Sequence, residues 1–317
     1  MIQELLTEKL RPKELKHMIL PDRIKSSFTS GLQQNVILSG SPGSGKTSMA
    51  KILMDKKPNK FINVSDESSV DTIRTKINDF CQSVSILDGK NNIKVVVLDE
   101  FDGASDQFYK ALRGTIEKFA KTTRFVATCN YLNKIPDAIK SRFEIYEFDP
   151  ASKEEENSLK AQWKDRVSKI LNALEINHDS VTLSSFSKKY FPDMRSALNT
   201  IQRWNIDGLK DLSENKINEV FWDNEEIFEL IFSAPSPIKN YQLIVGQYSN
   251  KTDEVMNSLS SDFIKWIQEK KPEKISMIPG IIITVAKYQS ERNLVIDPVV
   301  SLLALLFSLQ QMDNKKK

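Results

Sequence analysis

An α/β chain is what this sequence predicts: a parallel, doubly wound sheet domain, followed by a small helical domain and then a C-terminal all-helical one. Three observations carry that reading. Residues 35–150 alternate short β-rich runs with helical patterns, the arrangement of parallel strands joined by crossover helices. A glycine-rich run, GSPGSGKT at 40–47, sits between the first β-rich run and a helical stretch. After Asp149-Pro150 the strand signals stop and only helical periodicity continues.

Taken in order, the predicted strands are NVILSG, FINVSD, KVVVLDE, RFVATCN and EIYEF, each short and rich in β-branched or aromatic residues. KTSMAKILM reads as the helix after the glycines. VDTIRTKINDFC places Val70, Ile73, Ile77 and Phe80 at helical spacing, and SDQFYKALRGTIEKF does so with Phe108, Leu112, Thr115, Ile116 and Phe119, so both are expected to pack on the sheet. Ser152 with Glu155 predicts a capping box, and Leu159, Trp163, Val167, Ile170, Leu171 and Leu174 form one apolar stripe, giving a helix of about 20 residues. A shorter helix follows Asp193, with Met194, Ala197, Leu198 and Ile201 in phase. DLSENK and SAPSP (233–237) punctuate the passage to a last helical segment ending in VVSLLALLFSL at 299–309. Burial of that run against partner subunits is expected, with the segment's own core as the alternative, and the terminal NKKK reads as a frayed tail. The predicted domains are residues 1–150, 151–215 and 225–317.

Composition narrows the function classes. The chain has 317 residues and 40% apolar content, enough for more than one packed core. A net charge of +3 excludes a histone-like polycation yet leaves room for a local basic groove. Cys81 and Cys129 with His17 and His178 are too few for a zinc knuckle or a Cys/His metal site, and the cysteines are expected to be buried, reduced thiols. The charged N-terminus has no apolar core of a signal peptide, and the longest apolar run is about half of the roughly 20 residues a membrane span needs. The expectation is a soluble, cytoplasmic protein with no membrane partner.

GSPGSGKT matches the P-loop pattern, and its context of preceding strand and following helix gives the match its meaning. Gly40, Gly43, Ser44 and Gly45 let successive backbone N–H groups turn inward around phosphate oxygens, and the helix N-terminus at Lys46, Thr47 and Ser48 adds its positive end. Lys46 is expected to neutralise the β- and γ-phosphates of ATP and the Thr47 hydroxyl to ligate Mg²⁺. KVVVLDEFD then supplies a buried strand that presents Asp99, expected to hold the Mg²⁺ directly or through water, and Glu100, placed to deprotonate the attacking water. Asn130, at the end of the next strand, is expected to position the same water or touch the γ-phosphate, with a plain turn residue as the alternative.

These residues together resemble an AAA+ ATPase. Residues 111–148, ALRGTIEKFAKTTRFVATCNYLNKIPDAIKSRFEIYEF, resemble the small subunits of replication factor C, the sliding-clamp loader. TEKLRPKELKHMIL at 7–20 is similar to that family's N-terminal signature, and FPDMRSALNTIQ at 191–202 to its sensor-2 motif. The resemblance covers roughly residues 5–205. A compact chain without the zinc module of bacterial loaders looks most like the large subunits of T-even-type bacteriophage loaders. What the resemblance implies is specific. Thr7, Glu8, Lys9, Leu10 and Ile19 would line the adenine pocket, Arg195 would reach the γ-phosphate, and Arg142 would be an arginine finger entering the neighbouring subunit's ATP site.

Two departures accompany it. The family has Ser-Arg-Cys where this chain has Ser141-Arg142-Phe143, which changes the packing beneath the finger. Tyr109 stands where the family commonly has a Gln, so any relay from DNA to the ATP site through that Gln must differ here. Tyr109 is expected on the polar face of its helix with Arg113 and Glu117. Arg74 aligns with a DNA-contacting Arg of the family, and Lys76 and Arg113 are further candidates, each with a plain solvated charge as the alternative.

The resemblance further implies an ATPase stimulated by DNA and clamp. Its partners would be the sliding clamp, primer–template DNA gripped by its backbone, other copies of this chain, and a small loader subunit in a hetero-pentamer. A subunit that binds ATP without hydrolysing it, and a DNA-remodelling motor carrying an added β-hairpin or winged-helix insert, are the alternatives.

Overall fold

The computed structural model describes residues 4–83, 93–214, 216–217, 224–232, 240–242, 244–249, 252–291 and 297–314. By their contacts these separate into two compact units, Met1–Ile217 and Asn218–Lys317.

In the first unit, strands β1 (Val36–Ser39), β2 (Asn59–Asn63), β3 (Lys94–Asp99), β4 (Thr123–Cys129) and β5 (Glu144–Glu147) form one sheet in the order β2-β3-β4-β1-β5. Every pairing is parallel. Both faces are covered, as a parallel sheet requires. Alternation divides the strands cleanly. Ile37, Val96, Leu98, Phe125 and Ala127 face one apolar cluster, which contains Ile73, Ile77, Phe108, Leu112 and Ile116. Val36, Leu38, Val95, Val97 and Val126 face the other, which contains Ile24, Phe28, Met49 and Leu53.

The connecting helices are α1 (Leu6–Lys9), α2 (Asp22–Ser27), α3 (Lys46–Met54), α4 (Asn78–Gln82), α5 (Asp106–Lys118) and α6 (Asp137–Lys140). The expected helix over VDTIRTKINDFC forms, but Thr72–Ile77 wind as a π-helical turn before α4 begins. FINVSD loses its last three residues from the strand: after Asn63 the chain turns, with Asp66 N–H and Glu67 N–H donating to the Asn63 carbonyl.

One expectation on α5 is overturned. Tyr109 lies in the apolar core, 4% exposed, not on the polar face with Arg113 and Glu117. It stands one turn before the buried Leu112 and Thr115 side of the helix, its ring meets Phe101 edge-on, and its hydroxyl donates to the Phe101 carbonyl at 2.6 Å. Burial raises the phenol's pKa above its ordinary value. Cys81 and Cys129 are free and buried, as expected.

Lys94, at the start of β3, is buried and its ammonium is spent on the end of α4. It donates to the carbonyls of Phe80 at 2.7 Å and Cys81 at 3.2 Å, and to Ser83 Oγ at 3.0 Å. It thus caps a helix C-terminus whose carbonyls would otherwise be unmet. Lys94→Met removes the donor and leaves the acceptors, so we expect a loss of about 2–4 kcal/mol, read as a lower urea midpoint at unchanged slope.

Three helices follow the sheet: α7 (Lys153–Ala173), α8 (Ser180–Tyr190) and α9 (Met194–Ile206). At α7 the Ser152 hydroxyl accepts from Glu155 N–H at 3.2 Å, while the Glu155 carboxylate takes Ala151 N–H at 2.7 Å. The box therefore closes one residue earlier than its usual form. Helix α8 is absent from the sequence reading. Asp179 caps it by accepting from Val181 N–H and Thr182 N–H at 2.7 and 2.8 Å.

The second unit comprises α10 (Asn224–Phe232), a π-turn at Ile244–Tyr248, α11 (Thr252–Lys270), a 3₁₀ segment Pro272–Met277, α12 (Ile278–Glu291) and α13 (Pro298–Asn314). The apolar run of α13 lies in this unit's own core. Leu302, Leu305, Leu306 and Leu309 pack with Phe228, Phe263 and Ile281, the own-core alternative for this run. SAPSP and Lys315–Lys317 of the expected frayed tail lie outside the described residues. Among the described residues no helix is long and apolar enough to cross a membrane.

Candidate nucleotide-binding site

The loop between β1 and α3 sits at the C-terminal edge of the sheet, where ligands of open α/β sheets bind. Gly43 and Gly45 both have positive φ, +74° and +100°, which glycine adopts without strain. At Gly43 the need is also steric. A Cβ there would stand 1.9 Å from Asp193 Oδ1 and 3.0 Å from the Asp193 Cα, so the start of α9 rests directly on the loop. Gly43→Ala should push the two apart and weaken ATP binding about tenfold or more, measurable by titration of a fluorescent ATP analogue.

Lys46 is 7% exposed and its ammonium is held by the carbonyls of Gly40 and Ser41, both at 2.8 Å. Burial pushes its pKa down, against the opposing pull of the Asp149 carboxylate. A desolvated ammonium beside inward-turned glycines suits a phosphate, which would supply the charge that burial removes. The Ser44 hydroxyl is buried in the same loop without a hydrogen-bond partner. These features fit a triphosphate.

The metal-binding candidates also meet. Thr47 Oγ1 lies 3.0 and 3.3 Å from the two Asp99 carboxylate oxygens. This hydroxyl and carboxylate are the hard oxygen donors that Mg²⁺ takes. Two residues outside the sequence reading complete the cluster. Thr128 Oγ1 donates to Asp99 Oδ1 at 2.6 Å and accepts Glu100 N–H at 3.1 Å. Asp102 Oδ2 accepts the N–H groups of Asn130 at 3.3 Å and Tyr131 at 3.0 Å, fixing the turn that carries Asn130. Thr128 lies near the end of β4, two residues before Asn130, and a polar side chain closing the apolar run FVA next to the site is the signal that could have found it.

Beside the loop opens a cleft of about 420 Å³, large enough for a nucleotide. Thr7, Glu8, Leu10, Ile19, Gly43, Ser44, Gly45, Lys46, Thr47, Ser48, Glu100, Asn130 and Arg195 line it. Lys9, Gly40 and Asp99 do not. Gly40 acts through its carbonyl on Lys46, and Asp99 stands behind Thr47. Glu8 is ion-paired with Arg11, and the hydrogen bond from that guanidinium holds its carboxyl below the usual range. The start of the chain is anchored by Leu6 N–H donating to Gln202 of α9 at 2.9 Å. Trp163 and Arg166 of α7 also line the cleft, and Arg166 donates to the His17 carbonyl at 2.5 Å.

Arg142 is elsewhere. Its carbonyl accepts from Asn35, the residue before β1, at 3.2 Å, and β5 starts two residues later in register with Val36. It therefore lies at the N-terminal edge of the sheet, a strand length of roughly 13 Å from the P-loop edge. Its guanidinium is ion-paired with Glu117 of α5, and Phe143 fills the core beneath it against Phe101. Of the DNA candidates, Arg74 and Arg113 are exposed, whereas Lys76 is paired with Glu67 at 2.6 Å.

Residues 36–151 match the ATPase family associated with various cellular activities (AAA). A replication factor C small subunit of Thermofilum pendens is 30% identical over 251 residues, covering 74% of this chain and 73% of that protein. The chain belongs to the replication factor C small-subunit family. A second member, from Picrophilus torridus, is 33% identical over 225 residues, covering 68% of this chain and 67% of its own. Against the member from Sulfurisphaera tokodaii the identity is 33% over 215 residues, and the chain spans 63% of that relative's length. Among solved structures, a RuvB variant of Thermotoga maritima superposes with a TM-score of 0.55 at 16% identity, covering 79% of this chain and 86% of that one. That likeness concerns the fold. The family's AAA domain is therefore the part of this chain that holds the P-loop cluster, from β1 to the end of β5.

Proposed function

We propose that this chain is an ATP-hydrolysing subunit of a sliding-clamp loader, which opens the clamp and places it on primer–template DNA. The observation that carries the proposal is the separation of Arg142 from the other candidate catalytic residues. Lys46, Thr47, Asp99, Glu100 and Asn130 assemble a set at one edge of the sheet, while Arg142 stands at the other edge. A finger so placed serves a neighbouring subunit, which fits an ATPase that fires only when assembled.

In this reading Lys46 and the loop N–H groups hold the phosphates. Mg²⁺, held by Thr47 and Asp99, would supply neutralisation of phosphate charge. Glu100 accepts a proton from the attacking water, and Asn130 orients that water. Arg195, at the start of α9, reaches the γ-phosphate from residues 151–215, which act as a lid over the cleft. Residues 225–317 form a collar that joins subunits. Arg74, with Arg113, contacts the DNA backbone, and ATP binding drives the assembly into the state that opens the clamp.

The partners in this reading are the clamp, primed DNA, further copies of this chain and a small loader subunit in a hetero-pentamer. The finer assignment, a large subunit of the T-even bacteriophage type, rests on the sequence resemblance alone. A loading assay tests the proposal. The chain with its partners should transfer clamp onto primed circular DNA in the presence of ATP, with clamp co-eluting with DNA in gel filtration. ATP-independent transfer, or no transfer by any combination, contradicts it.

A further inference from the structure

We propose that Thr128 is a positioning residue for hydrolysis, its hydroxyl clasping Asp99 and Glu100 into the one arrangement that serves metal and water together. The inference rests on the ATPase reading of the site. Thr128 is 3% exposed. A hydroxyl has a single proton, and here it goes to Asp99 Oδ1 at 2.6 Å, while the oxygen accepts Glu100 N–H at 3.1 Å. Both described partners are thus the two acidic residues at the end of β3, reached from the neighbouring strand.

Glu100 gives the contact its weight. It has φ +55° and ψ +44°, a left-handed conformation that a side chain with a Cβ rarely adopts. The residue that must present a carboxylate to water is therefore held in a backbone state that needs an external tie. Its N–H is tied to Thr128, and its carbonyl accepts Gly103 N–H at 3.0 Å in the turn that follows.

Asp99 is shared differently. Thr47 also donates toward Asp99 Oδ1, at 3.0 Å. Thr47 would turn to the cation on metal binding, whereas Thr128, on the adjacent strand, keeps the carboxylate from rotating. A metal ligand at the end of β3 and a general base in the turn that follows would otherwise be free to move separately. Thr128 couples them.

The test uses the full chain in its reconstituted assembly with clamp and primed DNA, comparing Thr128→Val, which keeps the shape, with Thr128→Ser, which keeps the hydroxyl. We expect Thr128→Val to bind ATP within about threefold of wild type when Mg²⁺ is withheld, and its kcat to fall about ten- to a hundredfold with little change in KM. Thr128→Ser should recover to within a few-fold. In a Glu100→Gln background, under single-turnover conditions, Thr128→Val should add less than about threefold, because the hydroxyl acts through the residue already lost.

Wild-type turnover by Thr128→Val overturns the proposal. So does an equal fall in Thr128→Val and Thr128→Ser that tracks a lowered Tm, which would make Thr128 a packing residue only. If the wild-type assembly hydrolyses no ATP, the ATPase reading fails separately. In that event the Mg²⁺ needed for half-maximal nucleotide binding still decides: a rise of about tenfold in Thr128→Val supports the clasp and an unchanged value overturns it.

Discussion

Glu100→Gln should bind ATP with wild-type affinity and hydrolyse it roughly 10²–10⁴-fold more slowly, the range that a positioned general base contributes. The substitution keeps the shape of the side chain and removes only its ability to take a proton. The backbone of residue 100 keeps its N–H bond to Thr128 Oγ1, so the turn after β3 should stand. Lys46, Thr47 and Asp99 keep their contacts, which is why binding is expected to survive. Equilibrium titration with a fluorescent ATP analogue, followed by single-turnover hydrolysis in the assembled complex, separates the two quantities. Loss of binding in parallel with turnover would instead place Glu100 in the structural support of the cleft.

Arg142→Ala carries the second large effect. Supplying an arginine finger raises phosphoryl-transfer rates by about 10³–10⁵, so hydrolysis in an assembly built from the variant should fall by about that range. ATP binding to the isolated chain should change little, since Arg142 lies at the opposite sheet edge from the P-loop. Its ion pair with Glu117 is exposed on the carboxylate side, so losing it should cost little stability. To act on a neighbour, Arg142 must leave Glu117, which gives the finger a resting place on its own subunit. Turnover at the wild-type level in the assembly would leave Arg142 as nothing more than that surface pair.

Much of this was legible in residue order because the signals were local. KVVVLD reads as a strand buried on both sides, and in the sheet Val95 and Val97 face one core while Val96 and Leu98 face the other. GSPGSGKT fixed both the loop and the start of α3 at Lys46. What escaped depends on pairs far apart in the chain or on the backbone itself. The Thr128 clasp joins residues 28 and 29 apart, and Arg142 meets Glu117 across 25 residues. No local pattern announces the left-handed turn at Glu100. Tyr109 was expected on the polar face with Arg113 and Glu117, yet the Phe101 carbonyl satisfies its hydroxyl inside the core. Helix α8 was missed because SVTLSSFSKKY is rich in serine and β-branched residues; the Asp179 cap and the packing of Leu183 and Phe186 outweigh those weak propensities.

The account's central claim is that the P-loop site works as a clamp-loader ATPase, and one four-way comparison tests it most directly. ATP hydrolysis by the chain with its assembly partners is measured alone, with clamp, with primed DNA, and with both. The account predicts slow turnover alone and a stimulation by clamp and primed DNA together that exceeds either one. Full stimulation by DNA without clamp would mark a DNA motor, and turnover indifferent to both would contradict the loader reading outright.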